Sequence, residues 1–269
     1  MEDLVFHIGI QRTGTTFLQQ EVFPTMEDIN LVNFIRHDGI KYKVTGIKTI
    51  NNNLRNIHKI PLKTIKKSVN KRLKKDKINL ISNENIWWSR KDDDLIYKKV
   101  DKIYSCFPDS KIIFGIRKQD SWISSMYSKY VSSGGILSFN DYRKNEINKK
   151  CLNFDEYISY LKNTFGEEKV FIYNFENLIK DTDSFIKILC NFLDIKKPNY
   201  NSKKRNIGYS LWQIKLSLLI NHFFKNENNP KGLLPLNHKW HPHRIIFQSP
   251  FFPKKLRGKK ATNKLLEKV

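Results

Sequence analysis

Apolar residues along this chain keep two alternating rhythms. Short, nearly continuous apolar runs read as strands, and longer stretches with apolar positions three and four apart read as helices. The first run, Leu4 to Ile10, leads into a turn at Gly14 and a helix from Thr16 to Phe23 that Pro24 ends. A second strand is expected over Ile29 to Ile35, then a polar turn at Arg36-His37-Asp38-Gly39 and an unassigned stretch to Ile60. Pro61, suited to a first helical position, opens a helix through Lys75 with Leu62, Ile65, Val69 and Leu73 on one face and lysines on the other. Ile78 to Ser82 is a short strand, Asp94 to Phe107 an amphipathic helix, and Lys111 to Ile116 a strand apolar enough to be buried on both faces. A helix from Ser121 to Val131 breaks at Ser132-Ser133-Gly134-Gly135, and the polar stretch to Cys151 reads as a surface loop with one short helix. Asn153 to Glu156 has the shape of a capping box and opens a helix that Gly166 closes. The strand Val170 to Phe175 and the helices Asp181 to Leu193 and Tyr209 to Phe224 complete the pattern.

Strands alternating with helices in this way predict an α/β fold, a doubly wound parallel sheet flanked by helices. The 269 residues suit one domain, with a core over about 1–206 and a basic, mostly helical C-terminal extension over about 207–269. A formal charge of +23 implies attraction to polyanions, whether nucleic acid, acidic glycans, anionic membranes or a charged nucleotide, without choosing among them. From Lys239 onward nine basic residues face one acidic residue, a net +8. Cys106, Cys151 and Cys190 are widely spaced, as expected for reduced thiols and not for a disulfide framework or a zinc site. Met1-Glu2-Asp3 runs straight into the first strand and there is no 18-residue apolar run, so the expectation is a cytoplasmic protein without a transmembrane segment, peripheral membrane contact being left open.

Chemistry concentrates in Gly9-Ile10-Gln11-Arg12-Thr13-Gly14-Thr15-Thr16. Strand, tight turn and helix in that order make an anion cradle, because amide N–H groups at a helix start lack intrahelical partners and the helix dipole adds positive potential. Gly9 and Gly14 keep the spacing of a nucleoside-triphosphate loop, a P-loop-like signature, but Thr15-Thr16 stands where that loop carries Lys-Ser/Thr. Without that lysine, ATP hydrolysis is disfavoured, and the cation is Arg12, inside the loop. Taken alone, the turn is also compatible with a plain strand-to-helix connection.

A second constellation changes the balance. Arg117 follows the Lys111 to Ile116 strand, and Ser125 lies eight residues on in the next helix, so a guanidinium fork and a hydroxyl can converge on one phosphate. A third segment runs Val170-Phe171-Ile172-Tyr173-Asn174-Phe175-Glu176-Asn177-Leu178, followed by a helix carrying Leu189-Cys190-Asn191-Phe192-Leu193. Together the three resemble the sulfotransferase family, whose members carry Lys or Arg before Ser/Thr-Gly-Thr-Thr, an Arg and Ser at this spacing, and a strand ending near Tyr-Glu-Asp-Leu. The third segment reads as mostly core. A departure is Lys118-Gln119, where Asp-Pro commonly follows the family's arginine.

The resemblance implies a sulfotransferase that moves a sulfuryl group from 3′-phosphoadenosine-5′-phosphosulfate to a hydroxyl, releasing adenosine 3′,5′-bisphosphate without requiring a metal. Gln11, Arg12, Thr13, Gly14, Thr15 and Thr16 would hold the 5′-phosphosulfate, Arg117 and Ser125 the 3′-phosphate, and Lys203, Lys204 and Arg205 match a basic stretch near the donor in relatives. Arg12 would stabilise charge on the bridging oxygen. Glu84, in Ser82-Asn83-Glu84-Asn85 after a strand, is the first choice of general base, His37 the second, and His7 is expected to be packed in the core. The Glu84 type of base points to a carbohydrate or glycolipid acceptor, acidic glycans included. Trp87 and Trp88 would either stack on adenine, line a sugar cleft or pack in the core, and His238, His241 and His243 lack the cysteine or carboxylate company of a metal site. The alternatives are a nucleotide kinase, disfavoured by Thr15, and a basic nucleic-acid-binding protein, for which no reading motif is present.

Overall fold

The computed structural model describes residues 3–33, 51, 54–87, 94–147, 152–200, 208–235, 246–247 and 261–267. The chain forms two compact units, residues 1–117 with 149–203, and residues 118–148 with 204–269.

The first unit is built on a five-stranded parallel sheet. Its strands are β1 (Leu4–His7), β2 (Ile29–Leu31), β3 (Ile78–Ser82), β4 (Lys111–Ile116) and β5 (Val170–Asn174), in the order β2-β3-β1-β4-β5. From β1 the chain first builds toward β2 and β3 and then crosses to β4 and β5, so the order reverses beside β1. Such a reversal opens a crevice at the carboxyl ends of the strands. Register puts His7 beside Ser82 on one side and Ile113 on the other, and Gly115 beside Tyr173. β3 and β4 are apolar because both faces are covered; Leu80, Ile81, Ile112, Ile113 and Phe114 have no solvent exposure. Helices α2 (Leu62–Asn70), α3 (Leu95–Cys106), α6 (Phe154–Phe165), α7 (Phe175–Lys180) and α8 (Thr182–Leu193) flank the sheet. Asp181 caps α8 by accepting from the Ser184 amide, and Gly166 ends α6 at φ 97°.

Several elements differ from the periodicity. The helix after the opening turn is α-helical only over Thr15–Phe17 (α1), then widens into a π turn, Leu18–Val22, and tightens into a 3₁₀ turn, Phe23–Thr25. Phe23 N–H reaches back five residues to Leu18, and Pro24 has no amide with which to continue. β2 stops at Leu31, because the side chain of Asn33 takes over the pairing, accepting from the Ser82 amide at 2.9 Å and donating to the Ser82 carbonyl at 2.8 Å. The basic helix ends at Asn70, so Leu73 lies beyond it and Leu62 is exposed. Asn153 makes no capping bond to the backbone; its amide donates to the Glu156 carboxylate at 2.8 Å, so the box closes between side chains only.

The second unit contains α4 (Gln119–Ser132), α5 (Phe139–Asn145), α9 (Leu211–Phe223) and a short terminal helix, α10 (Asn263–Leu266). Tyr127, Tyr130, Phe139 and Tyr142 form its aromatic centre, and buried Asn221 of α9 donates to the carbonyls of Val131 and Gly135, at 2.9 and 2.8 Å. Cys106 and Cys190 are free and buried, as expected of reduced thiols; Cys151 lies outside the described residues. No described helix is long and apolar enough to cross a membrane.

Candidate active site

The carboxyl ends of β1, β3 and β4 carry the side chains singled out above. β1 runs on past its last ladder residue, with Ile8 and Ile10 amides bonded to the carbonyls of Ile113 and Gly115, and then turns sharply. Arg12 sits at φ 70° and Gly14 at φ 88°, two left-handed residues flanking Thr13. Glycine reaches that region freely, whereas arginine does so at a cost of roughly 1 kcal/mol or more. At Gly14 space demands glycine as well, since a Cβ would meet Leu178 Cδ2 at 2.5 Å.

The three threonines divide their work. Thr13 is buried, and its hydroxyl donates to the Ile10 carbonyl at 2.6 Å, tightening the turn from within. Thr15 is buried at the helix start and donates to Glu84 Oε2 at 2.8 Å. Thr16 is half-buried. Glu84 therefore comes from the end of β3 to the loop itself, and its charge opposes the burial that lowers the pKa of Arg12. A carboxylate there faces the groups expected to hold the transferring end of a donor.

Arg117 leaves β4 buried, with its guanidinium 4.4 Å from the centroid of the Phe175 ring and Nη1 donating to the Arg12 carbonyl at 2.8 Å. Burial brings its pKa down to about 10; Glu176 opposes that shift and Arg12 adds to it. Arg117 remains charged at neutral pH. Two desolvated guanidinium groups that repel one another across the loop gain from any anion placed against both. Asn174 supports this corner by accepting from the Glu176 amide at 3.0 Å and starting α7.

His7 is buried as expected, but within a polar network. Its Nδ1 lies 2.8 Å from Ser82 Oγ and its Nε2 3.2 Å from the Tyr173 hydroxyl. Burial lowers its pKa to about 3, so the ring is neutral. Trp87 is buried with its ring 6.4 Å from that of Phe154, a core packing position and not a stacking platform. Ser125 is buried in the second turn of α4, in the second unit. His37, Trp88, Lys203, Lys204, Arg205, His238, His241 and His243 lie outside the described residues.

Residues 170–178, read from sequence as mostly core, do supply core side chains, Tyr173 and Leu178 among them, and also shape the site. Tyr173 donates to the Thr13 carbonyl at 3.3 Å, Phe175 underlies Arg117, and Leu178 touches the loop at Gly14. Lys99 of α3 was also missed. Its Nζ donates to the Asn85 carbonyl at 2.9 Å, and burial, with Arg55 adding to it, lowers its pKa to about 8.

The model of the sulfotransferase family matches residues 66–199, a span that includes β3, Glu84, β4, Arg117 and β5 but begins beyond the opening loop. No curated protein matches the sequence. Among solved structures, the crystal structure of a sulfotransferase from Alicyclobacillus acidocaldarius is similar in fold, with 15% identity and a TM-score of 0.53 over 77% of this chain and 87% of that one. The sulfotransferase domain from the curacin biosynthetic pathway aligns over 100% of this chain and 90% of its own, with 13% identity and a TM-score of 0.43.

Proposed function

We propose that this chain is a sulfotransferase, moving a sulfuryl group from 3′-phosphoadenosine-5′-phosphosulfate to a hydroxyl of a carbohydrate or glycolipid acceptor; the match of residues 66–199 to the sulfotransferase family model supports this reading. The acceptor oxygen attacks sulfur in line, its bond to sulfur forming as the bond from sulfur to the bridging oxygen breaks. Adenosine 3′,5′-bisphosphate leaves with that electron pair. The acceptor proton passes to a base.

The observation that carries this reading is the meeting of Arg12, Arg117 and Glu84 around one left-handed turn at the carboxyl edge of a parallel sheet. Arg12 answers the charge that develops on the bridging oxygen; it is too basic to act as an acid. Glu84 accepts the acceptor's proton, and its bond from Thr15 orients it beside the sulfuryl group. Amides of residues 13–16 hold the 5′-phosphosulfate. Arg117 takes the 3′-phosphate together with Ser125, an assignment that rests on their spacing in the chain. Lys203, Lys204 and Arg205 add positive potential for the same nucleotide. The reaction is proposed for the cytoplasm.

Calorimetry with adenosine 3′,5′-bisphosphate and with adenosine 5′-phosphate tests the donor. The bisphosphate should bind at least tenfold tighter, a gain of about 1.4 kcal/mol or more for a charge-assisted contact. Equal affinities would remove the 3′-phosphate role of Arg117. Transfer of label from sulfur-labelled donor to a panel of glycans and glycolipids then identifies the acceptor.

A further inference from the structure

Beneath the opening loop, side chains from four elements lie along one seam. Gln19 Nε2 stands 2.8 Å from Ser82 Oγ, Ser82 Oγ 2.8 Å from His7 Nδ1, His7 Nε2 3.2 Å from the Tyr173 hydroxyl, and that hydroxyl 3.3 Å from the Thr13 carbonyl. We propose that this seam is a hydrogen-bond relay with a single direction, and that His7 within it is a positioning residue for the loop that receives the donor. The role, though not the direction, rests on the donor reading above.

Direction follows from the inventory of protons. An amide NH₂ can only give and a carbonyl can only receive, so the two ends of the seam agree. Ser82 accepts from Gln19 and passes its own proton toward His7 Nδ1. The single proton of a neutral imidazole then lies on Nε2, where it is donated to Tyr173, and Tyr173 gives its proton to the Thr13 carbonyl. Burial keeps the imidazole uncharged and the Tyr173 phenol protonated, so neither link is exchanged for an ion near neutral pH.

The relay crosses the sheet only because β4 makes room. Tyr173 belongs to β5 and His7 to β1, with β4 between them. Gly115 of β4 stands in register with Tyr173, and a Cβ there would lie 2.3 to 2.7 Å from the tyrosine ring and hydroxyl. Glycine lets the ring lie across its own strand's neighbour and reach the imidazole.

The effect is delivered to one peptide plane. With the Thr13 carbonyl drawn toward the buried seam, the planar trans peptide turns the Gly14 N–H the opposite way. That amide belongs to the set that would meet the donor's 5′ group. The other end of the relay touches Ser82, two residues before Glu84, so one neutral chain of bonds ties the strand that carries the base to the loop that holds the leaving group.

Tyr173→Phe keeps the ring and removes the last link. Its affinity for adenosine 3′,5′-bisphosphate should fall about tenfold, with affinity for adenosine 3′-phosphate, which lacks the 5′ group, unchanged. Equal losses for both ligands, or none for either, would overturn the positioning role. His7→Gln retains an N–H that can stand in for Nε2 and should lose less than His7→Leu; the reverse ranking counts against the relay. Nitrogen-15 NMR of the whole protein reads direction independently: His7 should carry its proton on Nε2 with Nδ1 bare from pH 5 to 8, and a proton on Nδ1 would overturn it. If the unaltered protein binds neither nucleotide, the donor reading and the role built on it fail, and the NMR result still decides the direction.

Discussion

The two sides of the opening loop are held by opposite kinds of chemistry. Below it, Thr13 is fastened by neutral groups, its hydroxyl to Ile10 and its carbonyl to Tyr173, in surroundings from which water is excluded. Around its mouth stand charges, Arg12, Arg117 and Glu84, each partly desolvated or bonded to the loop itself. Neutral bonds of this kind are insensitive to salt and to pH near neutrality, whereas the charged groups are costly to bury until an anion joins them. Geometry and affinity are thus assigned to separate sets of residues.

Arg12→Ala tests the charged side most severely. Turnover should fall by roughly a thousandfold, in line with loss of a group that acts on transition-state charge, while the melting temperature holds or rises, because alanine removes a buried repulsion with Arg117. A protein that remains active would transfer the stabilising role elsewhere. Glu84→Gln should lower kcat by about a hundredfold; an unchanged rate would leave Glu84 as a loop ligand only. Arg117→Lys keeps the charge but loses the planar fork on Phe175 and Arg12, and should weaken adenosine 3′,5′-bisphosphate by roughly tenfold.

The last test concerns the neutral side and reads stability, not activity. His7 binds its proton near pH 6.5 when unfolded but only near pH 3 when folded. Between those values the unfolded chain holds more protons, so stability falls as the pH drops through that window, by up to about 1.4 kcal/mol per unit. Denaturant melts of wild type and His7→Gln from pH 7 to pH 4 should therefore diverge, the variant losing less. Parallel curves would mean that His7 is charged in the fold.

Much of this arrangement was legible in the residues. β3 and β4 have the predicted bounds because continuous apolar runs leave little choice, and Arg117 and Glu84 follow directly from them at strand ends. The turn at Gly14 was legible from its glycine and hydroxyl neighbours. The left-handed Arg12 was not, since no local preference puts arginine at positive φ; contacts to Arg117 and Glu84 hold it there. Nor did periodicity foresee the π turn at Leu18–Val22, where tertiary packing of Leu18, Val22 and Phe23 overrides the regular helix. Tyr173 read as core because alternation reports burial and not which polar atom lies buried at 166 residues' distance along the chain.

The glycine at 115 sets a rule on sequences as well as on shape. A chain with alanine or anything larger there has no room for a tyrosine at 173, and a chain without that tyrosine has no use for a histidine at 7 with its proton on Nε2. Positions 7, 115 and 173 should therefore change together or stay together across descendants of this chain, forming a unit of inheritance that is scattered along the gene and contiguous only in the fold.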